Sequence, residues 1–183
     1  LQAVLCGLVS VYGVFDFALG TLYLNRPIFL SAITGLILGD FKTGIIIGAT
    51  LELFFMGAVS VGAYIPPDVV VGGVVATALA IVNGYSTEIA ITLAMPIALF
   101  SLAIGNLITI TQPFFLKRAD YYADKCGAKG VVRIQWTMAV INCARRFILT
   151  FLALYFGATA VEAFVNSIPD WVISGMSAAG GLM

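Results

Sequence analysis

Thr50, Glu52, Ser60, Tyr64 and Asp68 bring hydroxyls and carboxylates into a stretch that is otherwise apolar and rich in glycine. It runs GLILGDFKTGIIIGATLELFFMGAVSVGAYIPPD from Gly35 to Asp68. The charged residues nearest to Glu52 in sequence are Lys42 and Asp68. Inside a bilayer, a lone charged side chain costs at least about 2.5–3.5 kcal/mol unless it faces protein, water or a ligand. A carboxylate that accepts paired hydrogen bonds suits the adjacent hydroxyls of a sugar. It would serve a cation or a proton equally well. Asp68, just before an apolar run, has the position of a helix N-cap, and a broken helix leaves free backbone N–H groups beside such a cap. These residues by themselves point to a transporter or channel and leave its cargo open.

Composition decides the solvent. The chain is 61% hydrophobic and 10% charged, against about 25% charged in soluble domains, and its mean hydropathy is +1.08. It is read as polytopic and membrane-embedded. A net charge of zero gives no electrostatic footprint for nucleic acid. There is no histidine, and Cys6, Cys126 and Cys143 are widely separated. Neither a zinc site nor a disulfide framework is expected. No phosphate-binding loop, nucleophile elbow or metal cluster appears, so nothing supports catalysis by this chain alone, and neither catalytic residues nor a cofactor are expected.

The elements that must position Glu52 and Asp68 follow from the apolar runs. Residues 1–24, interrupted by Asp16, predict about 36 Å of helix, enough to span. Asn25-Arg26-Pro27 ends that helix. Residues 28–39 are too short to span, and residues 43–65 form a second long run. Gly35 with Gly39, and Gly44 with Gly48, flank the turn GDFKTG at the spacing that lets helices approach closely. Asp40 and Lys42 read as a cap and an interfacial anchor. Pro66-Pro67 must break the helix, and residues 69–82 make a short helix closed by Asn83-Gly84. Residues 35–83 thus predict a glycine-rich region of broken or re-entrant helices that holds the substrate. Residues 88–112, with Pro96 inside, are a full span. Residues 113–133 hold Lys117, Arg118, Lys125, Lys129 and Arg133, and are expected as a cytoplasmic loop. Residues 134–146 are expected as an interfacial helix that leaves Arg145 and Arg146 at the inner face. Residues 147–165 then span outward to an interfacial turn at Ile168-Pro169-Asp170-Trp171.

The GD-x-KTGIIIG-x-TLE core, the following PPD, the upstream Arg26-Pro27 and the later IP…AGG resemble, in order, the signature of enzyme IIC of the mannose-family phosphotransferase system (PTS). The resemblance covers nearly the whole chain. It implies an all-α membrane fold in which a mobile core moves against a fixed scaffold, elevator fashion. It also implies a domain that continues beyond this sequence at the C-terminus by several spans. The implied partners are an enzyme IID membrane subunit, assembled as a trimer of IIC–IID pairs, and soluble IIA and IIB proteins. Histidines on IIA and IIB carry phosphate from phosphoenolpyruvate, so this chain is expected to be a non-catalytic permease subunit in the bacterial cytoplasmic membrane. Its cargo would be a hexose, with mannose or glucose first, and some family members also serve as bacteriocin receptors. Residue by residue, the resemblance carries the sugar site onto Thr50, Glu52, Ser60, Gly62, Ala63, Tyr64 and Asp68. The alternative is an ion- or proton-coupled secondary transporter that uses Glu52 as its ion site.

Overall fold

The fold is that of a computed structural model, which describes residues 1–16, 20, 22–57, 62, 65–125 and 127–167, with side chains as far as residue 157. Seven helices and no strand occur among the described residues: α1 (Gln2–Phe15), α2 (Pro27–Leu38), α3 (Phe41–Phe54), α4 (Val69–Asn83), α5 (Thr87–Thr109), α6 (Gln112–Asp124) and α7 (Ala128–Ser167).

The molecule is built round α4. Its sequence, VVVGGVVATALAIVN, is apolar on every side, and every residue from Val70 to Ala80 is buried. A helix that is hydrophobic all round belongs in an interior. Here it is wrapped by α1, α2, α3, α5 and α7. Its small residues let the neighbours come close. A Cβ on Gly72 would lie 2.8 Å from Ala98 Cβ and 2.9 Å from the Ala94 carbonyl oxygen of α5. Its one internal hydroxyl, Thr77, donates to Ser31 Oγ of α2 at 2.8 Å. Large apolar side chains such as Leu36, Phe100, Ile110 and Tyr155 point outward. A small-residue interior under a large apolar exterior is the arrangement expected when the solvent is lipid.

The α2–α3 hairpin is set by local chemistry. Pro27 opens α2 at its first turn, where its missing N–H is not needed. Gly39 ends the helix at φ 89°, with Gly39 N–H on the Leu36 carbonyl at 3.3 Å and Asp40 N–H on the Gly35 carbonyl at 2.9 Å. This is a Schellman motif. Asp40 then caps α3 by accepting from Thr43 N–H at 3.0 Å. Glycine packing along the seam involves Gly35, Gly44 and Gly48. A Cβ on Gly35 would meet Gly44 Cα at 2.8 Å, and one on Gly48 would meet Ser31 Cβ at 2.9 Å. Gly39, expected in that seam, instead supplies the left-handed cap.

Three expectations are corrected. The first apolar run is not one 24-residue helix: α1 stops at Phe15, because buried Asp16 accepts from Leu24 N–H at 2.9 Å and folds the chain back. Charges at 117–133 mark contact with water rather than coil. No glycine or proline interrupts Phe114–Lys125, and that stretch is mostly α6. Residues 134–146 are not a separate helix, since α7 runs unbroken through Arg145 and Arg146. Thr87–Thr109 and Ala128–Gly157 are long and apolar enough to cross a membrane. The 168–171 turn, Cys126, and three of the expected site residues (Ser60, Ala63 and Tyr64) lie outside the described residues.

Candidate functional site

The break between α3 and α4 opens onto a cavity of about 460 Å³ whose lining includes Asn25, Arg26, Asp68, Asn142, Arg145 and Arg146. Pro66 and Pro67 hold the incoming chain extended along one wall. Asp68 follows as the N-cap of α4, with Oδ1 3.5 Å from Val71 N, a long contact. Its own N–H donates to the Ala98 carbonyl at 3.2 Å, which fixes the helix start against α5.

Asp68 Oδ2 gathers three donors. Ser101 Oγ donates at 2.8 Å, Arg145 Nη2 lies at 3.4 Å and Arg146 Nε at 3.3 Å. Arg145 Nη1 also donates to the Ser101 carbonyl at 2.9 Å. Gly105, one turn beyond Ser101 on α5, leaves room for this guanidinium, because a Cβ there would lie 3.0 Å from Arg145 Nη1. The side chain of Asp68 is 5% exposed and that of Arg145 9%. A charge so buried requires a partner, and these elements supply one to each other. Asp68 therefore ties α4, α5 and α7 together at one point.

Elsewhere in the lining, Arg26 Nε donates to Glu52 Oε1 at 2.6 Å. Arg26 lines the cavity and Glu52 stands behind it near the end of α3. Glu52 Oε2 is buried and has no hydrogen-bond partner among the described residues. Buried Asp16 holds the segment just ahead of Arg26 through Leu24 N–H.

Of the residues expected at the site, the structure thus places Asp68 in the cavity wall and Glu52 one residue behind it. Thr50 Oγ1 donates back to the carbonyls of its own helix, at 2.8 Å to Ile47 and 3.1 Å to Ile46. Gly62 is exposed with φ 63°. Sequence reasoning missed Arg26, Ser101, Arg145 and Arg146 as site residues. The argument that singled out Glu52 applies equally to a cation in an apolar run, so the Arg145-Arg146 pair carried the signal that would have found them.

The chain matches the family described as the PTS system sorbose-specific IIC component over residues 1–183. The chain belongs to that family. It is 33% identical over 179 residues to N-acetylgalactosamine permease IIC component 1 of Escherichia coli K12, covering 98% of this chain and 67% of that protein. It is 34% identical over 159 residues to the fructose permease IIC component of Bacillus subtilis, covering 87% of this chain and 59% of that one. The PTS mannose-specific EIIC component of E. coli K12 is 32% identical over 188 residues, covering 100% and 69% respectively. A cryo-EM structure of the mannose transporter ManYZ with microcin E492 superposes with a TM-score of 0.79 at 30% identity, over 98% of this chain and 73% of that one. The chain therefore spans 59% to 69% of the length of these three relatives. As a IIC component it is an integral membrane protein of the mannose-type PTS.

Proposed function

We propose that this chain binds a hexose in the cavity beneath the α3–α4 break and carries it across the cytoplasmic membrane for phosphorylation by a IIB protein. The observation that carries the reading is the cavity itself: its wall mixes apolar side chains with Arg26, Asp68, Arg145, Arg146 and the amides of Asn25 and Asn142, and Glu52 pairs with Arg26 behind that wall. Its volume falls within the roughly 300–1,000 Å³ of small-molecule sites. Guanidinium and amide donors, with carboxylates behind them, match the hydroxyl pattern of a sugar. The sequence resemblance adds Thr50, Glu52, Ser60, Gly62, Ala63 and Tyr64 as candidate sugar contacts, with Glu52 standing behind Arg26. Mannose and glucose are the first candidates, and N-acetylgalactosamine, fructose and sorbose follow from the names of the relatives.

The complete transporter would pair this subunit with enzyme IID, as a trimer of pairs, and receive phosphate through IIA and IIB. A role as bacteriocin receptor rests on the microcin in the ManYZ structure. A cation site at Glu52 is disfavoured because Arg26 already neutralises the carboxylate at 2.6 Å.

The test is phosphoenolpyruvate-dependent phosphorylation of a sugar panel by membranes holding the full-length protein and its IID partner, with IIA and IIB added. Product that requires this subunit is expected, and the panel names the sugar. Unmodified uptake that collapses with an uncoupler would overturn the proposal in favour of ion coupling.

A further inference from the structure

Among the described residues, the charges of the Asp68 cluster do not balance. Arg26, Arg145 and Arg146 face two carboxylates, Glu52 and Asp68, and Glu52 is taken by Arg26. Buried Asp16 accepts from Leu24 N–H, and among the described residues it forms no ion pair with these arginines. Among the described residues Arg145 and Arg146 therefore share one carboxylate, which leaves one positive charge in excess at that cluster. Arg145 is 9% exposed, and its Nε is buried with no hydrogen-bond partner among the described residues. Among the described residues, the bond made by the Arg146 guanidinium uses Nε. An unbalanced guanidinium in an apolar protein is costly, and an anion in the adjoining cavity would relieve that cost.

The geometry points to a phosphoryl group as that anion, carried on the sugar: Arg145 and Arg146 form a subsite for the phosphate of a hexose phosphate. Guanidinium groups present paired N–H donors that fit phosphate oxygens. The same cavity, about 460 Å³, is also lined by Asn25, Arg26 and Asn142, whose amide and guanidinium donors suit the hydroxyls of the sugar. A neutral hexose would leave the surplus charge unanswered, whereas its phosphorylated form answers it. The inference rests on the hexose reading above, and adds that the site holds product as well as cargo.

The test uses the full-length protein with its IID partner in phosphatidylcholine nanodiscs. Calorimetry compares mannose, glucose, fructose and N-acetylgalactosamine with their 6-phosphates. The expected result is tighter binding of one 6-phosphate than of its parent sugar. That preference should shrink about tenfold in Arg146→Gln, the loss expected for one charge-assisted hydrogen bond, and partly return in Arg146→Lys. Wild-type protein gives a second readout that needs no variant. Phosphate binding should tighten between pH 5 and 7 as the second phosphate proton leaves near pH 6, while the parent sugar, which reports any titration of Glu52 or Asp68, stays level. Sugar binding with no preference for the 6-phosphate, or a preference that Arg146→Gln leaves intact, would overturn the subsite and spare the hexose reading. Failure of every parent sugar and every 6-phosphate to bind would overturn both. Inorganic phosphate that competes with the 6-phosphate supports a phosphate subsite. Loss of 6-phosphate binding in phosphatidylglycerol nanodiscs, unmatched by loss of the sugar, would assign the site to a lipid headgroup instead.

Discussion

At the scale of single residues, the two carboxylates expected to act alike have different surroundings. Asp68 answers to Ser101, Arg145 and Arg146 at once, while Glu52 answers to Arg26 and keeps Oε2 without a described partner. Asp68→Asn is expected to leave the Arg145 guanidinium, 9% exposed, and the partly buried Arg146 without an anion; breaking a buried pair costs about 3–5 kcal/mol. Thermal unfolding in detergent should show a large drop in midpoint, and an unchanged midpoint would refute the clamp. Glu52→Gln, in a partly exposed pair, is expected to lower the midpoint less than Asp68→Asn and to raise the KM for sugar. Equal KM values in that variant and wild type would remove Glu52 from the site. Gly105→Ala pushes a methyl group to 3.0 Å from Arg145 Nη1. Overpacking of this kind costs about 1–3 kcal/mol, and the loss should vanish when Arg145 is already shortened, as a double-mutant cycle would read.

At the scale of elements, the α2–α3 hairpin and the α3–α4 break present the site. The hairpin keeps Arg26, at the start of α2, opposite Glu52, near the end of α3, because the two helices are antiparallel and nearly equal in length. Their separation depends on glycine. A Cβ on Gly44 would lie 2.7 Å from the Ser31 carbonyl oxygen and 2.8 Å from Gly35 Cα. Gly44→Val is therefore expected to push the helices apart, to lower stability more than Gly44→Ala, and to weaken the Arg26–Glu52 pair. Disulfide trapping between cysteines placed at 26 and 52 would detect this as a slower rate, and an unchanged rate would show that the seam does not set the spacing.

At the scale of the whole molecule, a buried α4 surrounded by helices with apolar outer faces suits a protein whose outer solvent is lipid. Orientation comes from the basic residues of α6 and the start of α7, Lys117, Arg118, Lys125, Lys129 and Arg133. The bias of basic residues toward the inner side predicts that this end of the molecule faces the cytoplasm. A cysteine substituted for Lys117 is expected to react with a membrane-impermeant maleimide in inside-out vesicles and to resist it in intact cells. The reverse pattern would invert the topology.

Much of the fold was legible in the sequence because it follows from local rules. Apolar excess declares the membrane, Pro27 and Pro66-Pro67 declare breaks, Asp40 and Asp68 declare caps, and the GD-x-KTGIIIG-x-TLE motif declares the family. Where the chain departs from those expectations, the cause is a side-chain bond that turns the chain or a charge mistaken for coil. α1 ends early because Asp16 bonds Leu24, and α6 is helical because Leu116, Lys117, Arg118 and Ala119 are strong helix formers with no glycine among them. The pairings at the site belong to tertiary structure alone. Arg145 lies 77 positions from Asp68 and Arg26 lies 26 from Glu52, so no local pattern could join them. The sequence by itself determined that buried charges exist in this apolar chain. Packing round α4 decided which of them meet, because each buried charge must find its counterpart among the groups that the helices bring within reach.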